Sequence, residues 1–340
     1  MKDKLLFSLP SLSDRQTMLS VLYENEYGIM PKHTDISFNP LCVSSRYKNL
    51  FGGKANYEKV DITVDFDKKS FTFPVEIFRP AKEGKHPFFV YISFKTALSS
   101  VYAPIEEIID GGFGIAKITY TDITSDDGDF TNGLAGVIYD DGKRNNTDAG
   151  KIAMWAFAAS RTVDLLETKD YVDTGKISVC GHSRLGKTAL LAAAIDERFF
   201  CAHSNDSGCS GAALARENKG ETVAKITQNF PFWFCENYYK YADNENQMPF
   251  DQHFLISSIA PRYVYVSSAD EDLWADPENE FLACVASSSA FKNGFVCEGQ
   301  IPTAVTKFHQ GDIGYHIRKG RHYHSREDWQ YAMEFIKSKF

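Results

Sequence analysis

The sequence predicts an α/β fold in three layers: a mostly parallel sheet with helices on both faces and an N-terminal antiparallel hairpin. Three observations carry this. Continuous apolar runs at residues 86–94 and 113–120 suit strands buried on both faces. From residue 149 onward, helical and strand-like patterns alternate, which makes parallel strands joined by covering helices. Before them, two runs with period-two alternation flank a polar turn, the pattern of a hairpin.

Taken in order, residues 11–27 have amphipathic helical spacing, with Ser11 or Ser13 as the N-cap. Residues 57–66 and 70–78 alternate on either side of Asp67-Lys68-Lys69 and form the hairpin. Residues 149–168 put Ile152, Trp155, Ala156, Ala159, Val163 and Leu166 on one helical stripe. A short buried strand at 176–180 precedes an alanine- and leucine-rich helix at 184–196. Strands at 199–204, 263–267 and 313–317 interleave with helices at 277–289 and 326–339. No repeat or low-complexity linker divides the chain, so residues 1–340 are expected to form one domain that includes the helix and hairpin of residues 1–80. Segments 122–146 and 205–261 do not fit this alternating skeleton. Long insertions are commonly functional loops, and in such sheets ligands bind where loops leave the carboxyl ends of strands.

The composition bounds the function. The chain has 340 residues, 43% hydrophobic and 14% aromatic, enough for a substantial core. Its net charge of -8 argues against a nucleic-acid partner, which needs a basic face. No stretch approaches the roughly 20 apolar residues of a membrane span, so no membrane partner is expected. The start carries no run of signal-peptide length, which implies a cytoplasmic protein as given, or a secreted or periplasmic one if a leader was removed. Seven cysteines without metal-ligand spacing read as buried thiols, with a Cys209–Cys235 disulfide as the alternative. No metal or cofactor is implied, and the oligomeric state is not legible.

The chemistry concentrates at Gly181-His182-Ser183-Arg184-Leu185-Gly186. A serine between a short strand and a helix is the setting of the α/β-hydrolase nucleophile elbow, usually G-x-S-x-G. Here Leu185 stands where the second glycine is expected, and Gly186 follows it. The alternative is a serine that only caps the helix. Arg184 would add a charged donor beside any oxyanion formed at Ser183. Lys187 lies one helical turn on, on the same face; its alternative is a solvated helix charge. Two cations beside one serine favour a sugar or carboxyl ligand over an apolar ester.

Gly181 to Lys187 resembles the G-C/H-S-R-x-G-K signature of the glucuronoyl esterases, carbohydrate esterase family 15. Further segments follow in order: Asp206-Ser207-Gly208-Cys209-Ser210-Gly211-Ala212-Ala213, Phe230-Pro231-Phe232-Trp233-Phe234, Pro249-Phe250-Asp251-Gln252-His253 and Ile259-Ala260-Pro261-Arg262. Glu271-Asp272-Leu273-Trp274-Ala275-Asp276-Pro277 and Gly314-Tyr315-His316-Ile317-Arg318 resemble the bacterial branch. The likeness runs from about residue 148 to the end of the sequence. It implies an α/β-hydrolase sandwich that hydrolyses esters of 4-O-methyl-glucuronate, with glucuronoxylan-derived carbohydrate esters as substrates. It also implies substrate contacts at Lys187, Glu221 and Trp274, the first two to sugar hydroxyls and the indole to the pyranose face. The plain alternatives are a surface lysine, a helix N-terminal carboxylate and a core indole. Two departures stand out. Phe94-Lys95-Thr96-Ala97 lacks the glycine-rich pattern that supplies an oxyanion N–H, which shifts that work toward Arg184, and Ser210 replaces a common glycine.

An elbow serine needs a histidine base and an acid to orient it, in the chain order serine, acid, histidine. His316 falls inside a predicted strand and is expected to be structural. His322, in the Gly320-Arg321-His322 loop, is the expected base, with His324 as runner-up. Asp272 follows the 263–267 strand and is the favoured acid. Asp206 follows the 199–204 strand, where the resemblance places a glutamate acid, and stays a candidate beside its reading as a turn cap. An acetylxylan-type or other carbohydrate esterase, or an inactive hydrolase fold that binds acidic sugars, are the competing functions.

Overall fold

The computed structural model describes residues 3–43, 49–94, 102–297, 299, 301–302 and 305–340. Its strands are β1 (Asp35–Pro40), β2 (Ala55–Phe66), β3 (Lys69–Pro80), β4 (His86–Ser93), β5 (Gly114–Thr119), β6 (Val172–His182), β7 (Phe199–Asn205), β8 (Tyr263–Ala269), β9 (Thr306–Phe308) and β10 (Ile313–Arg318). All ten join one sheet in the order β1-β2-β3-β5-β4-β6-β7-β8-β10-β9. The run from β5 to β10 is parallel. The hairpin side and β9 pair antiparallel.

β4 explains the continuous apolar runs. Phe88, Val90 and Ile92 pack into one buried cluster that includes Trp155. Phe89 and Tyr91 pack into a second, with Trp329 and Phe335. A strand covered on both faces must be apolar at every position, and a one-residue slip would exchange its two faces. The covering helices are Lys151–Glu167, Arg184–Ile195, Pro277–Ser287 and Arg326–Lys337. From β4 the chain builds outward to β5 on one side and then to β6 on the other. The crevice outside the carboxyl ends of the strands at such a switch is the usual ligand site.

The structure corrects several expectations. The helix expected at residues 11–27 is Arg15–Leu22, continued by a π-helical turn at Tyr23–Tyr27, and a short helix at Asp3–Ser8 precedes it. Its cap is neither Ser11 nor Ser13 but Asp14, whose carboxylate accepts from Thr17 N at 3.0 Å. The π-turn buries Glu26, whose carboxylate accepts from Gln252 Nε2 at 3.0 and 3.1 Å. That contact ties this helix and its π-turn to the 205–261 segment. The hairpin pairs without a break from Ala55↔Pro80 to Phe66↔Lys69, so its strands outrun their alternating cores and its turn is only Asp67-Lys68. The edge strands β1 and β9 were not foreseen: β1 is largely exposed and β9 has three residues, so neither carries a burial pattern. All seven cysteines are free, so the Cys209–Cys235 disulfide is not formed; five are buried, while Cys42 is exposed and Cys297 partly so. Among the described residues no helix is long and apolar enough to cross a membrane.

Candidate active site

Ser183 sits at the end of β6, directly before the Arg184–Ile195 helix, with φ 59° and ψ -129°. Such a conformation is rare for a residue with a side chain and persists only where its surroundings enforce it. Here Ser183 N donates to Asn205 O at 2.8 Å. Gly181 is obligatory, because an added Cβ would lie 2.0 Å from Leu185 O. Gly186 lets the helix press on the end of β7, where an added Cβ would meet Ser207 and Ser204 at 3.0 and 3.1 Å. The Ser183 hydroxyl makes no capping bond, so the serine is not there to start the helix.

His322 lies in the loop between β10 and the last helix, and its Nδ1–H donates to Asp272 Oδ2 at 2.6 Å. The loops that carry the two residues are fastened to each other. Gly320 N donates to Asp270 Oδ1 at 2.9 Å, and Glu271 N donates to Gly320 O at 2.9 Å. Asp272 is buried, while the His322 side chain is 43% exposed and opens to the cleft. Ser183 and His322 line one cleft of about 350 Å³ without a direct hydrogen bond between them. Such bonds often form only once substrate is bound.

Asp206 has a different place. It caps β7 with φ 45°, and its Oδ2 accepts from Arg318 Nη2 and Tyr323 N, both at 3.3 Å. Its Oδ1 is buried without a partner. Burial pushes its carboxyl well above the usual carboxylate range, and Glu280 and Asp328 push the same way. It comes within 4.8 Å of the facing atoms of Asp272 and His322, yet no hydrogen bond joins it to His322. His316 is structural, as expected: Tyr265 and Asp328 hold its two nitrogens, each at 2.8 Å. His324 is buried with its ring stacked on Trp329 at 4.7 Å, away from the cleft. It forms a buried group with Cys180 and His203. Cys180 Sγ lies 3.1 Å from His203 Nδ1, and burial pushes the thiol well up, which suits this group poorly to a metal.

Eight residues singled out in the sequence line this cleft: Ser183, Arg184, Lys187, Asp206, Glu221, Asp272, Trp274 and His322, whereas the runner-up base His324 does not. Phe230 and Trp233, stacked at 4.0 Å, join Ser207, Gly208 and Ala275 in its wall. Lys187 is no solvated charge, being 3% exposed. It donates to Ser207 O at 2.6 Å, to Cys209 O, and to Glu221 Oε2 at 3.5 Å. Two of its three donors are therefore committed to the main chain, and the long third contact is the one a sugar hydroxyl can replace. Trp274 is no core indole either. It is 49% exposed, with the Lys225 ammonium 5.0 Å from its ring centre. Its carbonyl accepts from Glu221 N at 2.9 Å, which links the two residues.

Sequence reasoning missed Asp126. This carboxylate, in the 122–146 insertion, forms an ion pair with Arg184 through Oδ2. It also accepts from Trp233 Nε1 at 2.7 Å and Tyr120 OH at 3.1 Å. The acidity of the insertion was a signal, but nothing local ties it to Arg184. Glu280 was missed as well. Its carboxylate accepts from Ser207 N and Gly208 N, both at 2.9 Å, and burial pushes it up to about 7. The Phe94–Ala97 departure lies outside the described residues beyond Phe94.

A family model described as "Glucuronyl esterase, fungi" matches residues 62–293. The chain belongs to the glucuronoyl esterase family. A prokaryotic relative named carbohydrate esterase MZ0003 is 43% identical over 239 residues, 68% of this chain and 54% of that protein. The 4-O-methyl-glucuronoyl methylesterase of Podospora anserina is 33% identical over 228 residues, 63% of this chain and 45% of that protein. This chain thus spans about half the length of the curated relatives it matches. Two solved structures superpose with a TM-score of 0.84 over 96% of the chain. One is a family 15 esterase from a marine bacterial metagenome, 32% identical with 91% of that chain covered. The other is the glucuronoyl esterase from Solibacter usitatus, 31% identical with 92% covered. The glucuronoyl esterase family thus supplies the α/β-hydrolase frame on which this cleft is built.

Proposed function

We propose that the protein is a serine-dependent carboxylic ester hydrolase that cleaves glucuronate esters of xylan or of oligosaccharides derived from it. The observation that carries this reading is the 2.6 Å hydrogen bond from His322 to Asp272 in the cleft that Ser183 also lines. With Nδ1–H committed to Asp272, the Nε2 of His322 is the free base. It takes the Ser183 proton as Oγ attacks the ester carbonyl. The tetrahedral oxyanion is stabilised by the Arg184 guanidinium and the N–H groups opening the helix. His322 then protonates the departing alcohol, and water cleaves the glucuronoyl-enzyme by the same route in reverse. Lys187, Glu221 and Trp274 hold the sugar, a hydroxyl fitting between the ammonium and the carboxylate of the first two.

The test is hydrolysis of methyl and benzyl glucuronate beside simple acetyl esters. Turnover of glucuronate esters that Ser183→Ala abolishes is the expected result. Turnover of acetyl esters alone would replace this reading with an acetylxylan-type esterase.

A further inference from the structure

We propose that Asp126 sets the preference of the cleft for a neutral uronate ester over the free uronate acid by neutralising Arg184. The proposal rests on the esterase reading and adds a residue that the reading does not use. The hydrolysis of a uronate ester turns a neutral group into a carboxylate beside Arg184, the cation that follows the nucleophile. A lone guanidinium there would bind that product more tightly than the substrate, because Arg–carboxylate pairs are strong and two-pronged. Tight product binding slows turnover without helping the transition state.

The geometry around Arg184 prevents a lone cation. Its Nη1 is paired with Asp126 Oδ2, and its guanidinium lies 4.6 Å from the Trp233 ring centre and 5.3 Å from that of Phe230. Asp126 is itself fixed by Trp233 Nε1 at 2.7 Å and Tyr120 OH at 3.1 Å. Its loop is anchored by Lys151, which donates to Thr124 Oγ1 at 2.8 Å and Asp129 O at 2.6 Å. The second cation of the cleft, Lys187, is paired with Glu221. Each cation thus faces one carboxylate, and Asp272 adds a further negative charge. The cleft presents oriented N–H donors to a transition-state oxyanion, but no net positive charge to a stable carboxylate.

Ligand-observed NMR titrations with glucuronate and its neutral amide, glucuronamide, read this directly and need no turnover. Asp126→Asn should tighten glucuronate binding by at least about fivefold, the effect of one uncompensated charge at about 4 Å in a water-like dielectric, and by more as the site excludes water. Glucuronamide binding should stay within about twofold. Asp126→Glu should restore the wild-type acid-to-amide ratio, and adding Arg184→Gln to Asp126→Asn should cancel the gain. Equal glucuronate affinity in wild type and Asp126→Asn would overturn the proposal, as would acid and amide affinities that move together. Should Asp126→Asn fail to fold, Asp126→Ser and a salt titration of the wild type decide. A compensated pair predicts a change in glucuronate affinity below about threefold between roughly 0.05 and 0.5 M salt, and a steeper loss would overturn the proposal. Absence of methyl glucuronate turnover would overturn the esterase reading, while the binding ratios judge Asp126 on their own.

Discussion

Two carboxylates stand near His322, and substituting each separately decides which one orients it. Asp272→Asn replaces the acceptor of the 2.6 Å bond with an amide whose NH₂ can face Nδ1. That favours the tautomer with the proton on Nε2, where it cannot take the Ser183 proton. In a serine protease with the same arrangement this change costs about 10⁴ in kcat. At about 1.36 kcal/mol per decade, that is about 5 kcal/mol of lost transition-state stabilisation. Asp206 makes no bond to His322; its contacts are to Arg318 and Tyr323 N, at 3.3 Å each. Arg318 keeps Asp328, which accepts from its Nε at 2.9 Å, so Asp206→Asn leaves no bare charge behind. Its cost in kcat should stay within about tenfold. The assay is steady-state hydrolysis of benzyl glucuronate by wild type and the two variants, each checked for folding. A larger loss in Asp206→Asn than in Asp272→Asn would refute the assignment.

Lys187→Met strips a buried cation from two carbonyls and Glu221, and should destabilise the fold by about 3–5 kcal/mol, seen as a lower urea midpoint. Trp274→Ala, at an exposed site, should leave the melting temperature unchanged while raising KM about tenfold with little change in kcat; an equal fall in kcat would exclude a role in sugar binding. Stability should also depend on pH in two opposed ways. His182 and His203, pushed down to about 3 by burial, refuse protons that the unfolded chain takes up below about 6.5, so stability falls as pH drops. Glu26 and Glu280, pushed up to about 8 and about 7, keep protons that the unfolded chain loses above about 4.5, so stability falls as pH rises. His309 and His324 add to the first set and Asp206 to the second, so the two sets oppose each other between about pH 4.5 and 6.5, where stability should be highest, with a decline of roughly 1.4 kcal/mol per pH unit per uncompensated group on either side. A melting temperature that climbs steadily through pH 8 would contradict this.

The parts legible in the sequence are those whose signal is local. A serine between strand and helix, and a histidine in the loop after a late strand, announce themselves within a few residues. The strands β4 to β8 and β10 were placed within a few residues because burial on two faces leaves an unbroken apolar run. What escaped depends on distant partners. Asp126 is 58 residues from Arg184, and its role exists only once the insertion folds over the helix start. Lys187 is legible as a cation on the Ser183 face, but its burial exists only once the Ser207–Cys209 turn is laid across it. Asp206 and Asp272 both follow strands, and the sequence favours Asp272 without excluding Asp206; the loop pairing at Gly320 and Glu271 sets them apart.

The late second glycine follows from the same packing. Leu185 is fully buried, and its carbonyl occupies the space a Cβ on Gly181 would need. Gly186 then marks the point where the helix presses on Ser204 and Ser207. Lys187, the next residue, reaches under the turn at Ser207 and Cys209 and holds its carbonyls, while Glu280 holds the N–H groups of Ser207 and Gly208. A buried cation and a buried carboxylate thus grip opposite polar edges of one turn. That turn carries Ser207 and Gly208 into the cleft wall and follows directly on Asp206. Ser183 and part of the cleft wall are therefore mounted on one packed unit, in which Gly181 and Gly186 permit the close approach. Arg184 stands outside this grip, held by Asp126 from a separate loop. The pairing of the charge beside Ser183 is thereby separate from the contacts that hold the Ser183 turn.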